Sequence, residues 1–311
     1  MSKKHKYIKH VFTSLEELLA MEPLARNFSF LAKKQKSNSI LSGKHASKLR
    51  GRGLDFEEVR QYVNGDDIRN IDWKVTARTQ KTHTRVYTEE KEKPALIIVD
   101  QTKSMFFGSQ VRTKAVVAAE LAALSAFRIS GEGDRVGGVV FADKGIDIVF
   151  PKRNRKNILR FLEKIVKRNR ELEASSAQNF EDALKALLPK INNIVTHDFL
   201  VIIISDFTRY HPQILKSIRQ IKLHNDVILA KVNDPMEREI SNRNIVVGNT
   251  DTQIRLKGGL KKIRNSFSSN FDTEYEKFYQ DMFNHGIPVL NFNTIESVDE
   301  QLKYRIKKKR I

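Results

Sequence analysis

Ala95-Leu96-Ile97-Ile98-Val99-Asp100-Gln101-Thr102-Lys103-Ser104 is the stretch that decides the fold. Four apolar residues, Leu96 to Val99, run straight into a carboxylate, and hydroxyls follow at 102 and 104. A continuous apolar run of this length reads as a strand covered on both faces, as in a parallel sheet. In an open α/β sheet the ligand crevice lies just beyond the carboxyl ends of such strands. Asp100, Thr102 and Ser104 therefore fall on the loop where a site is expected. A carboxylate and two hydroxyls are hard oxygen ligands suited to a small divalent cation such as magnesium. The plainer alternative is that Asp100 ends a strand and Ser104 caps the next helix.

A second stretch repeats the design. Asp198-Phe199-Leu200-Val201-Ile202-Ile203-Ile204-Ser205-Asp206 is again an apolar strand that ends in an acid. Between and after these two, strands alternate with helices. Residues 111–129 read as a buried helix, 135–141 and 145–150 as a strand and its hairpin partner, and 157–166 as a helix with apolar residues at helical spacing. Helices follow at 180–188, 214–223, 272–285 and 298–306, with strands at 227–232 and 287–292 and short strands within 237–262. Alternation of this kind predicts an α/β fold with a doubly wound, mostly parallel sheet. Asp100 and Asp206 then arrive at the same edge of it, which raises the metal reading above the plainer one.

The totals bound what the site can be. The 311 residues are 40% hydrophobic, enough for a real core, and contain no cysteine. Disulfides, thiolate metal sites and cysteine nucleophiles are thereby excluded. No uninterrupted apolar run approaches the roughly 20 residues a membrane helix needs. The basic N-terminus is not followed by the apolar core and cleavage site of a secretory signal, so a cytoplasmic protein is expected. Lys and Arg number 56 against 37 Asp and Glu, a net +19. That excess raises nucleic acid, an anionic membrane surface or an acidic protein as partners. It is dispersed over at least five places, from Lys3 to Arg310, which fits a solvated surface better than a groove.

Upstream of the strand, residues 1–93 are expected to form an N-terminal extension of small α+β character, and 94–311 the α/β domain. Ser14 followed by Glu17 begins a capped helix. Gly51-Arg52-Gly53 lacks the third glycine and preceding strand of a dinucleotide loop. Asn64-Gly65 signals a turn, Asp66 and Asp67 open a segment at 68–79 that could be helical, and 82–88 alternates like a strand. Acids and arginines interleave here around Trp73, the one tryptophan.

Two blocks carry a family resemblance. An Asp-x-Thr-x-Ser loop after one strand, with Ser205-Asp206 after a later one, resembles the metal-ion-dependent adhesion site of von Willebrand factor A domains. Residues 50–79, RGRGLDFEEVRQYVNGDDIRNIDWKVTART, followed by TRVYTEEKEKPALIIVDQTKSMFFGS, are similar to the bacterial domain of unknown function 58. Asp234-Pro235-Met236-Glu237 resembles a later element of that family. The resemblance implies a von Willebrand factor A-like, Rossmann-type fold. It implies a non-enzymatic adaptor that partners a MoxR-type AAA+ ATPase in chaperone-like assembly of a client protein of unknown identity. Carried onto this sequence, it assigns Asp100, Thr102 and Ser104 to the first metal loop and Asp206 to the third. Gln178 stands where the second loop supplies a threonine, and a glutamine carbonyl can ligate magnesium with a different reach. Gly65, Asp66, Asp67, Asp72 and Trp73 become candidates for partner docking. Lys103, inside the first loop, would attract a partner or compete with the cation.

Two other classes remain in view. A metal-dependent hydrolase would use Asp100, Asp206 and Asp143, but a two-metal centre needs carboxylates clustered around ions roughly 4 Å apart. No compact acidic motif sits on these loops, and His83, His197, His211 and His285 have no metal-like spacing. A nucleic-acid-binding protein would show strongly salt-dependent binding, although no basic motif interleaved with aromatics is present.

Overall fold

The computed structural model describes residues 9–27, 54–89, 93–174, 189–207, 212–238, 245–248, 253–256, 273 and 275–308. It divides into one unit of Met1–Phe28 with Lys93–Ile311 and a second of Ser29–Glu92. Residues 9–27 fall in the first unit and the hairpin that follows them in the second.

The first unit begins with α1 (Leu15–Leu19) and α2 (Met21–Leu24). The Ser14 side chain accepts from the Glu17 amide and the Glu17 carboxylate accepts from the Ser14 amide, the reciprocal box that the sequence predicts. Leu18 is fully buried.

The second unit is a hairpin of β1 (Leu54–Gln61) and β2 (His83–Glu89), antiparallel, with α3 (Trp73–Thr79) in the connection. The 68–79 segment is not one helix. A 3₁₀ turn at Ile68–Asn70 ends at an extended Ile71, and α3 starts afresh under an Asp72 cap. Gly65 sits at φ +108°, a conformation that L side chains rarely adopt, so the turn at 64–65 needs glycine there.

The α/β unit then unfolds in order: β3 (Ala95–Asp100), α4 (Lys114–Gly131), β4 (Val136–Ala142), β5 (Gly145–Lys152), α5 (Arg155–Glu171), β6 (Leu200–Ser205), α6 (Pro212–Lys222), β7 (Asp226–Asn233) and α7 (Pro235–Arg238). A separate antiparallel pair, β8 (Ile245–Gly248) and β9 (Gln253–Leu256), precedes α8 (275–284), β10 (Val289–Asn293) and α9 (Val298–Lys308). The helix expected at 180–188 lies outside the described residues.

Six strands form the main sheet in the order β10-β7-β6-β3-β4-β5. All neighbours are parallel except the β4–β5 edge hairpin. This is the doubly wound, mostly parallel α/β fold expected. Every residue of β3, β4 and β6 is buried, which is why they read as unbroken apolar runs. Leu96 and Ile98 join Val201, Ile203, Ile218, Ile221 and Met282 in the core on one face. α4 and α5 cover the other, with α5 so close that a Cβ at Gly138 would lie 2.1 Å from the Phe161 ring. Strand order reverses between β3 and β6, so the crevice beyond their carboxyl ends is the topological switch point of the sheet. Among the described residues no helix is long and apolar enough to cross a membrane.

Candidate functional site

The site is built on the loops that leave β3, β4, β6 and β7. Register places Val99 opposite Ile204 and Ser205 opposite Lys231, so these strands end at one level. Asp100, 2% exposed, turns inward there. Its Oδ1 accepts from the Thr102 amide at 2.9 Å, and its Oδ2 accepts from the Ser205 hydroxyl at 2.6 Å. Burial, and then the charge of Asp206, push its pKa up to about 6, against the hydrogen bonds from Ser205 and Thr102. The Thr102 and Ser104 hydroxyls lie 3.1 Å apart. The Lys103 amide donates to Asp143 Oδ2 at 2.7 Å. The Lys103 ammonium donates to the carbonyls of Leu172 and Glu173 at the end of α5.

Asp206 reaches the same rim but looks into the protein. Its Oδ2 accepts from Lys114 Nζ at 2.8 Å, with both side chains 2% exposed. Lys114 also donates to Glu237 Oε1. Lys114 is the first residue of the 18-residue α4, where the helix dipole disfavours a cation, so the two carboxylates must hold it. Burial alone would lower its pKa, but Asp206 and Glu237 more than offset this and the net direction is up. Lys231, in the middle of the buried β7, donates to the Asp206 backbone carbonyl. Burial pulls its pKa down to about 8, with Asp206 and Glu237 opposing. Asp234 completes the group. It accepts from the Ser109 amide at 2.9 Å, the Thr294 hydroxyl at 2.6 Å and the Met236 amide at 2.9 Å. Burial would raise its pKa, yet these hydrogen bonds hold it below the usual carboxylate range.

The structure thus brings Asp100, Thr102, Ser104 and Asp206 to one rim, while Gln178 lies outside the described residues. Among the described residues the donor set does not fit a resident magnesium ion. The two hydroxyls have a spacing that neighbouring ligands of an octahedral ion could adopt, about 3 Å. The carboxylates do not follow: Asp100 is engaged by Ser205 and Thr102, and Asp206 is paired with a buried ammonium. Among the described residues no group of three or more acidic or histidine side chains converges on a metal position.

Lys114 and Lys231 are the rim residues that sequence reasoning missed, while Ser205 and Glu237 entered it only as parts of motifs. One signal was available: a lysine at 114 in an otherwise Ala- and Val-rich helix start, and another at 231 inside an apolar strand, are charges that a buried element must pair.

In the hairpin unit the acids nominated for docking do local work. Asp66 accepts from the Val63 amide and from Arg60, and Asp67 from the Arg69 amide. Asp72 caps α3 by accepting from the Lys74 and Val75 amides, and also accepts from Arg85 at 2.9 Å. Trp73 is the exception, 69% exposed, with Val63 and Ile68 also exposed.

With fold and rim in view, the family described as a protein of unknown function, DUF58, matches residues 58–277. The chain belongs to the DUF58 family. It is 29% identical over 210 residues to the uncharacterized proteins Rv1480 of Mycobacterium tuberculosis and Mb1516 of Mycobacterium bovis, a match covering 68% of this chain. It spans 64% of the length of those curated relatives. Among solved structures it is similar to the conserved hypothetical protein BatB from Bacteroides thetaiotaomicron, at 16% identity and TM-score 0.43, over 70% of this chain and 98% of that one. It is also similar to a von Willebrand factor type A protein from Catenulispora acidiphila, at 14% identity and TM-score 0.29, over 49% of this chain and 35% of that one.

Proposed function

We propose that this DUF58 protein is a non-enzymatic adaptor of the von Willebrand factor A type. In this reading it works in the cytoplasm with a MoxR-type AAA+ ATPase, helping to assemble a client protein. The observation that carries it is the state of the switch-point rim, where Asp100 and Asp206 are both buried and engaged by protein donors. A general acid, base or metal-held nucleophile must reach a substrate, whereas a binding rim needs only a fixed shape and polarity. Trp73, exposed beside its Asp72 cap, is the docking element we assign to the hairpin unit, because a large aromatic at low entropic cost suits an interface anchor.

The test is a pull-down with the tagged chain against a MoxR-type ATPase from the same source. Capture by the wild type and its loss in Trp73→Ala supports the adaptor reading. A phosphodiesterase or peptidase activity that survives purification and vanishes in Asp206→Ala overturns it. A second reading has its own observation: Lys156, Arg160, Lys167 and Arg170 are all exposed on α5. Filter binding to DNA and RNA at two salt concentrations would expose a nucleic-acid partner through a steep salt dependence.

A further inference from the structure

We infer that the Lys114 ammonium takes the place of the divalent cation at Asp206, so that this carboxylate is neutralised from within the chain and needs no metal.

Two carboxylates, Asp206 and Glu237, converge on one ammonium nitrogen, and that nitrogen belongs to a side chain that is only 2% exposed. Carboxylates brought together in a buried place need a cation between them, since like charges in low dielectric repel strongly. Lys114 supplies it from the chain itself. Lys231 brings a second buried ammonium to the Asp206 backbone carbonyl. Asp206 and Glu237 are thus matched by ammoniums of the chain itself, and a divalent ion added at Asp206 would have to face the Lys114 ammonium already 2.8 Å from that carboxylate.

The surroundings are built for these cations. Lys114 Nζ lies 5.9 Å from the centre of the Phe107 ring, and Lys231 Nζ lies 5.4 Å from that of Phe278 and 5.8 Å from that of Tyr275. Aromatic faces stabilise a desolvated ammonium, but offer a small hydrated dication none of the oxygens it requires. Glu237 is itself fixed, because its other oxygen accepts from the Asp234 amide at 3.0 Å. The pair of carboxylates is thus preorganised around the lysine.

What neutralises Asp206 is separate from what binds the rim, and the test involves no partner. The full chain is titrated with MgCl₂ by calorimetry and melted in EDTA, MgCl₂, MnCl₂ or CaCl₂. The wild type is expected to show no saturable heat and the same melting temperature in all four. The variant Lys114→Ala opens the space between Asp206 and Glu237. It is expected to melt lower in EDTA and to recover with Mg²⁺ or Mn²⁺ by more than about 2 °C. Lys114→Arg keeps the charge and should stay indifferent to metal. One-to-one magnesium binding by the wild type, weakened in Asp206→Asn, overturns the inference. So does a folded Lys114→Ala that no cation stabilises, since the ammonium would then stand in for nothing. Should Lys114→Ala fail to fold in every buffer, the wild-type titration decides alone: saturable one-to-one binding overturns the inference and its absence upholds it.

Discussion

Lys114 Nζ lies 2.8 Å from Asp206 Oδ2, joining the start of α4 to the end of β6 through a pair of side chains each 2% exposed. Removing one member of a buried pair leaves an uncompensated charge, at a cost of about 3–5 kcal/mol. The two deletions are not equivalent here, because Lys114 has a second partner in Glu237. Lys114→Met strands two carboxylates and is expected to lose the full amount. Asp206→Asn leaves the lysine bound to Glu237 and should lose less, about 1–3 kcal/mol. Urea unfolding of both variants checks the order, and equal losses would show that Glu237 does not hold the lysine.

Ser205 and Asp100 pin β6 to β3 across the switch point. The Ser205 hydroxyl donates to Asp100 and accepts from the Phe207 amide at 3.2 Å, all within buried surroundings. Ser205→Ala should therefore cost about 1–3 kcal/mol. It also removes one of the interactions that lower the Asp100 pKa, so that value should move further above about 6. A carboxyl titration followed by NMR reads this directly, and a downward move would contradict the assigned hydrogen bond.

Asp234 gives a pH dependence with a definite sign. Its folded pKa lies below the ordinary 3.8, so the unfolded chain takes up the proton first as acid is added. The stability it contributes is complete above about pH 4 and is lost as the pH falls through the lowered folded value. Asp234→Asn should be less stable than the wild type by about 1–3 kcal/mol at pH 7. The gap should narrow as the pH drops below 3.8. Denaturant unfolding of the two proteins at pH 7 and pH 3 makes the comparison.

The sheet was legible because burial on both faces leaves a plain mark. β3 and β6 are unbroken apolar runs, and each stops at its carboxylate. β1 was not foreseen. Its pairing shifts register between Phe56 and Glu58, and such a bulge breaks the two-residue alternation that identifies a strand. The acids at the rim were legible as positions but not as partners. Which way Asp206 faces depends on Lys114 and Glu237, which lie 92 and 31 residues away along the chain, and no local pattern encodes that meeting.

Asn169 shows how residues 9–27 are tied to the rim. Its Oδ1 accepts from the Thr13 amide at 2.8 Å, and its Nδ2 donates to Gln101 Oε1 at 2.9 Å, while Gln101 donates onward to the Ala115 carbonyl. Gln101, Asn169 and Thr13 are each fully buried. Asn169→Leu leaves an amide and a carboxamide oxygen unsatisfied, a loss of about 2–4 kcal/mol for two such groups. The N-terminal segment should release first, so limited proteolysis is expected to cut within 9–27 before the sheet unfolds. Simultaneous loss of both would mean that the segment is part of one cooperative core.

Asp72 and Trp73 are neighbours with opposite predicted consequences. Asp72 caps α3 through two amides and accepts from Arg85 on β2, so its work is structural. Asp72→Ala should destabilise the hairpin unit by about 1 kcal/mol, the usual cost of a lost cap. Trp73 is mostly in solvent and supports little of the fold. Trp73→Ala should change stability by less than about 0.5 kcal/mol while abolishing capture of the proposed ATPase partner. Thermal unfolding and pull-down, run on the same two preparations, separate the roles. If Trp73→Ala lowers stability as much as Asp72→Ala and leaves capture intact, the tryptophan is scaffolding and the docking surface lies elsewhere.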